Sequence, residues 1–231
     1  MGIRCLKELY VELSNYCMLK CIHCSTLASP QGNIIIDNLS IRKLLVEGKK
    51  LGANNLYLSG GEPLPYPEIW DLLEFAVKLE YKICIYSSGV VDGGSGIRQA
   101  VGYQYLKRLK YYIEKIIFSI HGADAYTHDY ITGKPGSFAL LLDSLKRAVS
   151  LGLYCVVHTV PMLINYRQIP SIVKLAEKMG AQRVSLLRLV PQGRCVKYKE
   201  ALLIENDREK VSEFVEIVEN LNSPILKLRK G

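Results

Sequence analysis

The chain has 231 residues, 49% of them apolar and 23% charged, with a formal net charge of +8. That length suits one domain with a sizeable core, and the longest apolar runs, such as IIFSI (116–120), are far too short to span a bilayer. The opening MGIRCLKEL lacks the apolar core of a signal peptide, so the expectation is a cytoplasmic protein with no membrane association.

Short apolar strands alternate with helical segments along the chain. LYVEL (9–13) reads as the first strand and runs directly into YCMLKCIHCS (16–25). Ser40 is expected to cap a helix whose inner face carries Ile41, Leu44, Leu45 and Leu51. NLYLSGG (55–61) is the second strand. The helix after it has Pro67 near its first turn and Ile69, Leu72, Leu73 and Ala76 inward. KICIYSSG (82–89) is the third strand, followed by a glycine-rich loop over 91–96 and a helix over 98–113. KIIFSIHG (115–122) is the fourth. Ser137 is expected to cap the next helix, with Phe138, Leu141, Leu145 and Ala148 on one stripe. LYCVVHTV (153–160), a helix around 168–179, RVSLLRLV (183–190) and a helix over 207–221 complete six strand–helix units.

Strands that are apolar throughout and separated by crossover helices imply a parallel sheet covered by helices. The fold class is therefore α/β. Six units favour a partial (β/α)6 TIM-type barrel, because a full eightfold barrel usually needs about 250 residues, although periodicity alone also allows a doubly wound sheet. The core is expected over residues 1–223. Residues 224–231 read as a terminal segment that starts a further strand, where another module would begin in longer relatives.

Ligands of parallel α/β folds bind at the carboxyl ends of the strands, and the unusual residues gather there. The first strand ends at Cys17, Cys21 and Cys24, the second at SGGEP (59–63), and the third at SSG (87–89). SIHG (119–122), His158–Thr159, and Arg188 with PQGR (191–194) end the others. Three thiols within eight residues call for metal in a reducing compartment. A closed zinc site needs a fourth ligand, and His23 is a candidate with awkward geometry beside Cys24. Three cysteines on a 4Fe–4S cluster would instead leave one iron open for a small ligand. In SGGEP two glycines allow close backbone approach, and Glu62 adds negative charge for a cation. Cys5, Cys84, Cys155 and Cys195 stand alone in the sequence. His121 and His158 read more readily as satisfied core histidines than as bases. The basic residues are spread along the chain, which favours a solvated basic surface over a nucleic-acid site and leaves the latter open.

At these residues the sequence resembles the radical S-adenosylmethionine (radical SAM) superfamily, in particular the core domain of SPASM/twitch-type maturases and cofactor-biosynthesis members. CMLKCIHC matches the C-x3-C-x2-C cluster motif and SGGEP the GGEP motif; the likeness continues through HDYITGKPGSF, VPMLIN and LLRLVPQGR. The resemblance implies that Cys17, Cys21 and Cys24 ligate three irons of a 4Fe–4S cluster and that S-adenosylmethionine chelates the fourth. It implies that Gly60, Gly61 and Glu62, with Pro63 fixing the turn, meet the methionine ammonium. Ser88 and Ser119 would meet the carboxylate or ribose, and His23 and Leu187 the adenine. Reductive cleavage would then give a 5′-deoxyadenosyl radical that abstracts hydrogen from a small-molecule or peptide substrate. An acidic flavodoxin or ferredoxin would donate the electron. Met18 departs from the frequent asparagine after the first cysteine, and Cys195 alone cannot build the auxiliary clusters that many peptide-modifying relatives carry. The competing readings are a truncated core and a non-catalytic iron–sulfur or S-adenosylmethionine-binding protein.

Overall fold

The computed structural model describes residues 6–226. Cys5 and the last part of the terminal segment, 227–231, lie outside the described residues. The strands of the main sheet are β1 (Glu8–Glu12), β2 (Asn55–Ser59), β3 (Lys82–Ser87), β6 (Lys115–Ser119), β7 (Cys155–Thr159) and β8 (Arg183–Leu186). Two further strands, β4 (Val90–Asp92) and β5 (Arg98–Ala100), form a separate antiparallel hairpin. The helices are α1 (Asn38–Lys50), α2 (Ile69–Lys78), α3 (Tyr103–Leu109), α4 (Ala125–Thr132), α5 (Ser137–Ser150), α6 (Ile169–Lys178), α7 (Cys195–Leu202) and α8 (Arg208–Glu219).

All pairings in the main sheet are parallel, in the order β1-β2-β3-β6-β7-β8. The order never reverses, whereas a doubly wound sheet must reverse at its switch point. Monotonic order selects the partial-barrel topology. Alternation along each strand separates two faces. Leu56, Leu58, Ile83, Ile85, Ile116, Phe118 and Val157 belong to the main core with the helices. Their neighbours Tyr57, Cys84, Ile117 and Val156 form a distinct cluster on the other face, with Tyr86 packed against it. No helix among the described residues is long and apolar enough to cross a membrane.

Several local expectations need correction. Asp37, not Ser40, caps α1: its carboxylate accepts from the Ser40 N–H at 2.9 Å. The helix consequently buries Ile41, Leu45 and Gly48, and leaves Leu44 and Leu51 exposed. Pro67 precedes the N-cap of α2, Glu68. The glycine-rich loop and the start of the following helix are instead the β4–β5 hairpin. Asp92 accepts from the N–H groups of Gly94 and Gly96 at 2.8 and 3.1 Å, and Gly94 and Gly96 take positive φ to close the turn. The helix there is confined to α3. Ser137 is the first residue of α5 rather than its cap. The capping acceptor comes from another helix: Asp129 of α4 accepts from Gly136 N, Ser137 Oγ and Phe138 N at 2.6, 2.8 and 2.8 Å. The last strand is shorter than expected, and helices α4 and α7 have no strong periodicity to announce them. Ile225 and Leu226 of the terminal segment lie beside β8, where Val184 N donates to Ile225 O at 2.7 Å.

Candidate active site

The long connection from β1 to α1 carries the three cysteines. It is not a free loop. Leu13 N and Ile36 N bond Ser59 O and Leu13 O at 3.0 Å each, and isolated bridges pair Ser14 with Ile35 and Tyr16 with Ser29. Three neighbouring segments then hold it by backbone hydrogen bonds. From the turn after β2, Gly61 N donates to Ser14 O at 2.6 Å and Glu62 N to Tyr16 O at 2.7 Å. At the end of α4, Thr132 O and Ile131 O accept from Lys20 N and Ile22 N, both at 2.9 Å. Beyond β8, Arg194 N donates to Cys24 O at 2.9 Å.

This architecture turns the cysteines onto a cavity of about 350 Å³ at the carboxyl ends of the strands. Cys17, Cys21 and Cys24 line it together with Gly60, Gly61, Ser88, Ser119, His23 and Leu187. Glu62 and Pro63 stand apart from the lining. Glu62 is 1% exposed, and its carboxylate is fully engaged behind the wall. It accepts from Ser87 Oγ at 2.8 Å, Ser88 N at 2.8 Å and Ser88 Oγ at 2.6 Å. Burial nevertheless raises its pKa to about 7, against the opposing pull of those hydrogen bonds. Glu62 thus orients the Ser87–Ser88 pair that faces the cavity.

Tyr10, Glu12 and Tyr86, which carry no motif, also line the cavity. Strand alternation carries their signal, since each is opposite in parity to a core residue such as Val11 or Ile85. His121 and His158 line it too. His23 packs edge-on to His121 at 4.4 Å between centroids, and His121 N donates to His128 Nδ1 at 3.2 Å. Burial lowers the pKa of His23, His128 and His158 to about 4 and takes that of His121 well below its ordinary value. The Nδ1 atoms of His23, His121 and His158 are buried without a hydrogen-bond partner in the protein. A ring nitrogen in that state is ready for a ligand or water.

The donor set fits an iron–sulfur cluster. The six described cysteines are free thiols. No three His, Cys, Asp or Glu side chains among the described residues converge tightly enough to hold a single metal ion. Three separated soft thiols around an open cavity match a cluster that offers each one its own iron. Burial pushes the Cys21 thiol up to about 12 and the Cys17 thiol well above its ordinary value. Metal binding reverses that preference, because the ligating form is the thiolate.

A family model described as the radical SAM superfamily matches residues 11–176. The chain belongs to the radical SAM superfamily. Its curated radical SAM relatives include the AdoMet-dependent heme synthase of Methanosarcina barkeri, 27% identical over 188 residues, covering 79% of this chain and 50% of the relative. They also include the PqqA peptide cyclase of Methylorubrum extorquens, 27% identical over 212 residues, covering 91% of this chain and 53% of the relative. Among solved structures, Streptococcus suis SuiB bound to its precursor peptide SuiA superposes with a TM-score of 0.73 at 21% identity, covering 96% of this chain and 48% of SuiB. SuiB bound to S-adenosylmethionine superposes with a TM-score of 0.71 at 20% identity, covering 96% of this chain and 50% of SuiB. The chain therefore spans about half the length of the relatives it matches, and the structural likeness establishes the radical SAM partial barrel.

Proposed function

We propose that the protein is a radical SAM enzyme in which Cys17, Cys21 and Cys24 hold a 4Fe–4S cluster and S-adenosylmethionine occupies the adjoining cavity. The observation that carries this reading is the shared wall: the three thiols, the Gly60–Gly61 backbone and Ser88 face one space. When bound, the pair supplies one-electron reductive cleavage of S-adenosylmethionine and hydrogen-atom abstraction from a substrate.

The protein's own residues position and shield. The Gly60 and Gly61 backbone lies where an ammonium would find carbonyl acceptors, with Pro63 stiffening the turn. Ser88 and Ser119 offer hydroxyls to a carboxylate or ribose, and Glu62 holds Ser88 in place. His23 and Leu187 form apolar walls suited to an adenine. Tyr10, Glu12, Tyr86 and His158 line the part of the cavity carried by the strands themselves, and we assign them to the substrate. A peptide or a cofactor precursor is the favoured substrate class, in keeping with relatives named as a peptide cyclase and a heme synthase. An acidic flavodoxin or ferredoxin suits a chain of net charge +8 as electron donor, in a reducing cytoplasmic setting.

Anaerobic reconstitution with iron and sulfide, then dithionite and S-adenosylmethionine, tests the reading. Formation of 5′-deoxyadenosine and methionine is expected. Cluster formation without cleavage would favour a non-catalytic binding core. Cys21→Ala should lose the brown chromophore, and an unchanged spectrum would refute the ligand assignment.

A further inference from the structure

After β8 the chain folds back across the barrel mouth and places Arg194 on the cysteine loop, 173 residues away from Cys21 in sequence. The guanidinium Nε donates to Cys21 O at 2.8 Å, and Nη2 donates to Ala28 O at 2.5 Å. The backbone N–H of the same residue donates to Cys24 O at 2.9 Å. Three carbonyls of one loop converge on one residue, and two of them belong to cysteines that face the cavity. Gly193 makes the approach feasible. It has φ +61°, and a Cβ there would stand 2.3 Å from Ser25 O and 2.5 Å from Cys24 O.

Among the described residues no carboxylate neutralises the guanidinium: it enters no ion pair, and both its side-chain acceptors are neutral carbonyls. Arginine stays protonated in proteins, and its planar fork can bridge two acceptors that a lysine ammonium would serve as a point charge. The guanidinium is fixed on the main chain of the loop itself, bonded to the carbonyl of Cys21. A fixed positive charge beside a cluster stabilises the reduced form, which carries the extra electron, and so raises the reduction potential.

We propose that Arg194 is a positioning residue for the cluster: its fork holds the Cys21–Ala28 segment in the metal-ready shape, and its unpaired charge raises the potential of the cluster bound there. The proposal rests on the cluster assignment given above.

Arg194→Lys and Arg194→Gln separate the two parts. Hydrogen–deuterium exchange of the metal-free protein over residues 17–28 should be about tenfold faster in both variants, since each loses the bridging fork. Potentiometric titration of the reconstituted proteins, followed by electron paramagnetic resonance, should move only for Arg194→Gln. Its reduced-to-oxidised ratio at a fixed potential should fall about tenfold, which is about 59 mV downward for a one-electron couple. A merely structural arginine would leave the potential of Arg194→Gln equal to that of Arg194→Lys, and that result overturns the charge role. Wild-type exchange rates in both variants would overturn the loop role. Failure of the wild-type protein to assemble a cysteine-dependent chromophore would instead sink the cluster assignment, and the charge role with it, before any variant is compared.

Discussion

A Cβ on Gly61 would stand 1.9 Å from the carbonyl oxygen of Tyr16, the same oxygen that accepts the Glu62 N–H at 2.7 Å. Gly60, at φ +119°, is likewise closed to a side chain by Ser14 O at 2.5 Å. The two glycines of the GGEP turn therefore interlock with the base of the cysteine loop, as well as presenting backbone to the cavity. Two motifs that lie about forty residues apart form one rigid unit.

Gly61→Ala tests that interlock. The added methyl has no flexible neighbour to displace, only backbone, so the loop must move. Overpacking of this kind costs about 1–3 kcal/mol. The expected outcome is a lower melting temperature together with loss of iron after reconstitution. Full iron content in Gly61→Ala would show that the loop tolerates detachment from the turn.

Above about pH 7, where Glu62 is ionised, Glu62→Gln replaces an acceptor-only carboxylate by an amide whose nitrogen must face a donor at Ser87 or Ser88. The loss is expected to be about 1–3 kcal/mol in urea unfolding of the metal-free protein on the alkaline side of pH 7. The variant should also change the pH dependence. In the wild type the folded pKa of about 7 lies above the ordinary 4.5, so the native state holds the extra proton between those values. This group's contribution is full below about pH 4.5 and is lost as pH rises to about 7. Comparison of the two proteins across that range should reveal a declining difference attributable to Glu62.

The histidines act with the opposite sign. His23, His128 and His158 titrate near pH 4 when folded, and His121 lower still, all because burial disfavours the charged ring. The unfolded chain binds those protons near pH 6.5, so stability falls as pH drops from about 6.5 to 4. For His128, which is 1% exposed, the loss by pH 5 is about 2 kcal/mol. Four histidines outweigh the single glutamate. Urea midpoints of the metal-free protein should therefore fall between pH 7 and pH 5, and His128→Gln should flatten the slope. A midpoint that rises on acidification would contradict the buried-neutral assignment.

Asp129→Ala removes three capping hydrogen bonds to the start of α5 from the end of α4, the helix whose carbonyls also hold Lys20 and Ile22. Loss of about 1–2 kcal/mol is expected from the cap alone. Because the α4 terminus touches the cysteine loop, hydrogen exchange at Lys20 and Ile22 should also quicken. Unchanged exchange there would separate the cap from the loop.

Some of this was readable from residues taken a few at a time. Leu56 and Leu58, or Ile83 and Ile85, mark buried strands by apolar runs of strand length, and the spacing of Cys17, Cys21 and Cys24 carries its chemistry within eight residues. The partial barrel and the cavity's cysteines, glycines and serines follow from such local signals, because strand ends lie where strands stop. Glu62 could be read as charge facing a ligand, but its partners Ser87 and Ser88 lie at the end of the next strand and just past it, and only their approach directs it away from the cavity. The hairpin at 90–100 has no local signature, because it depends on Asp92 reaching the amides of Gly94 and Gly96, while Gln99 and the residues after it have ordinary helical composition.

By itself, then, the sequence determined the alternating architecture, the three-cysteine motif and the turn that faces it, since each depends on periodicity or spacing within one segment. Tertiary structure alone decided which backbone each glycine must admit, why four histidines stay neutral, and which cation sits beside Cys21. Those are contacts between distant segments such as Gly61 with Tyr16 and Arg194 with Cys21. A contact across 173 residues leaves no local periodicity, because its geometry exists only once the sheet has brought the strand ends together.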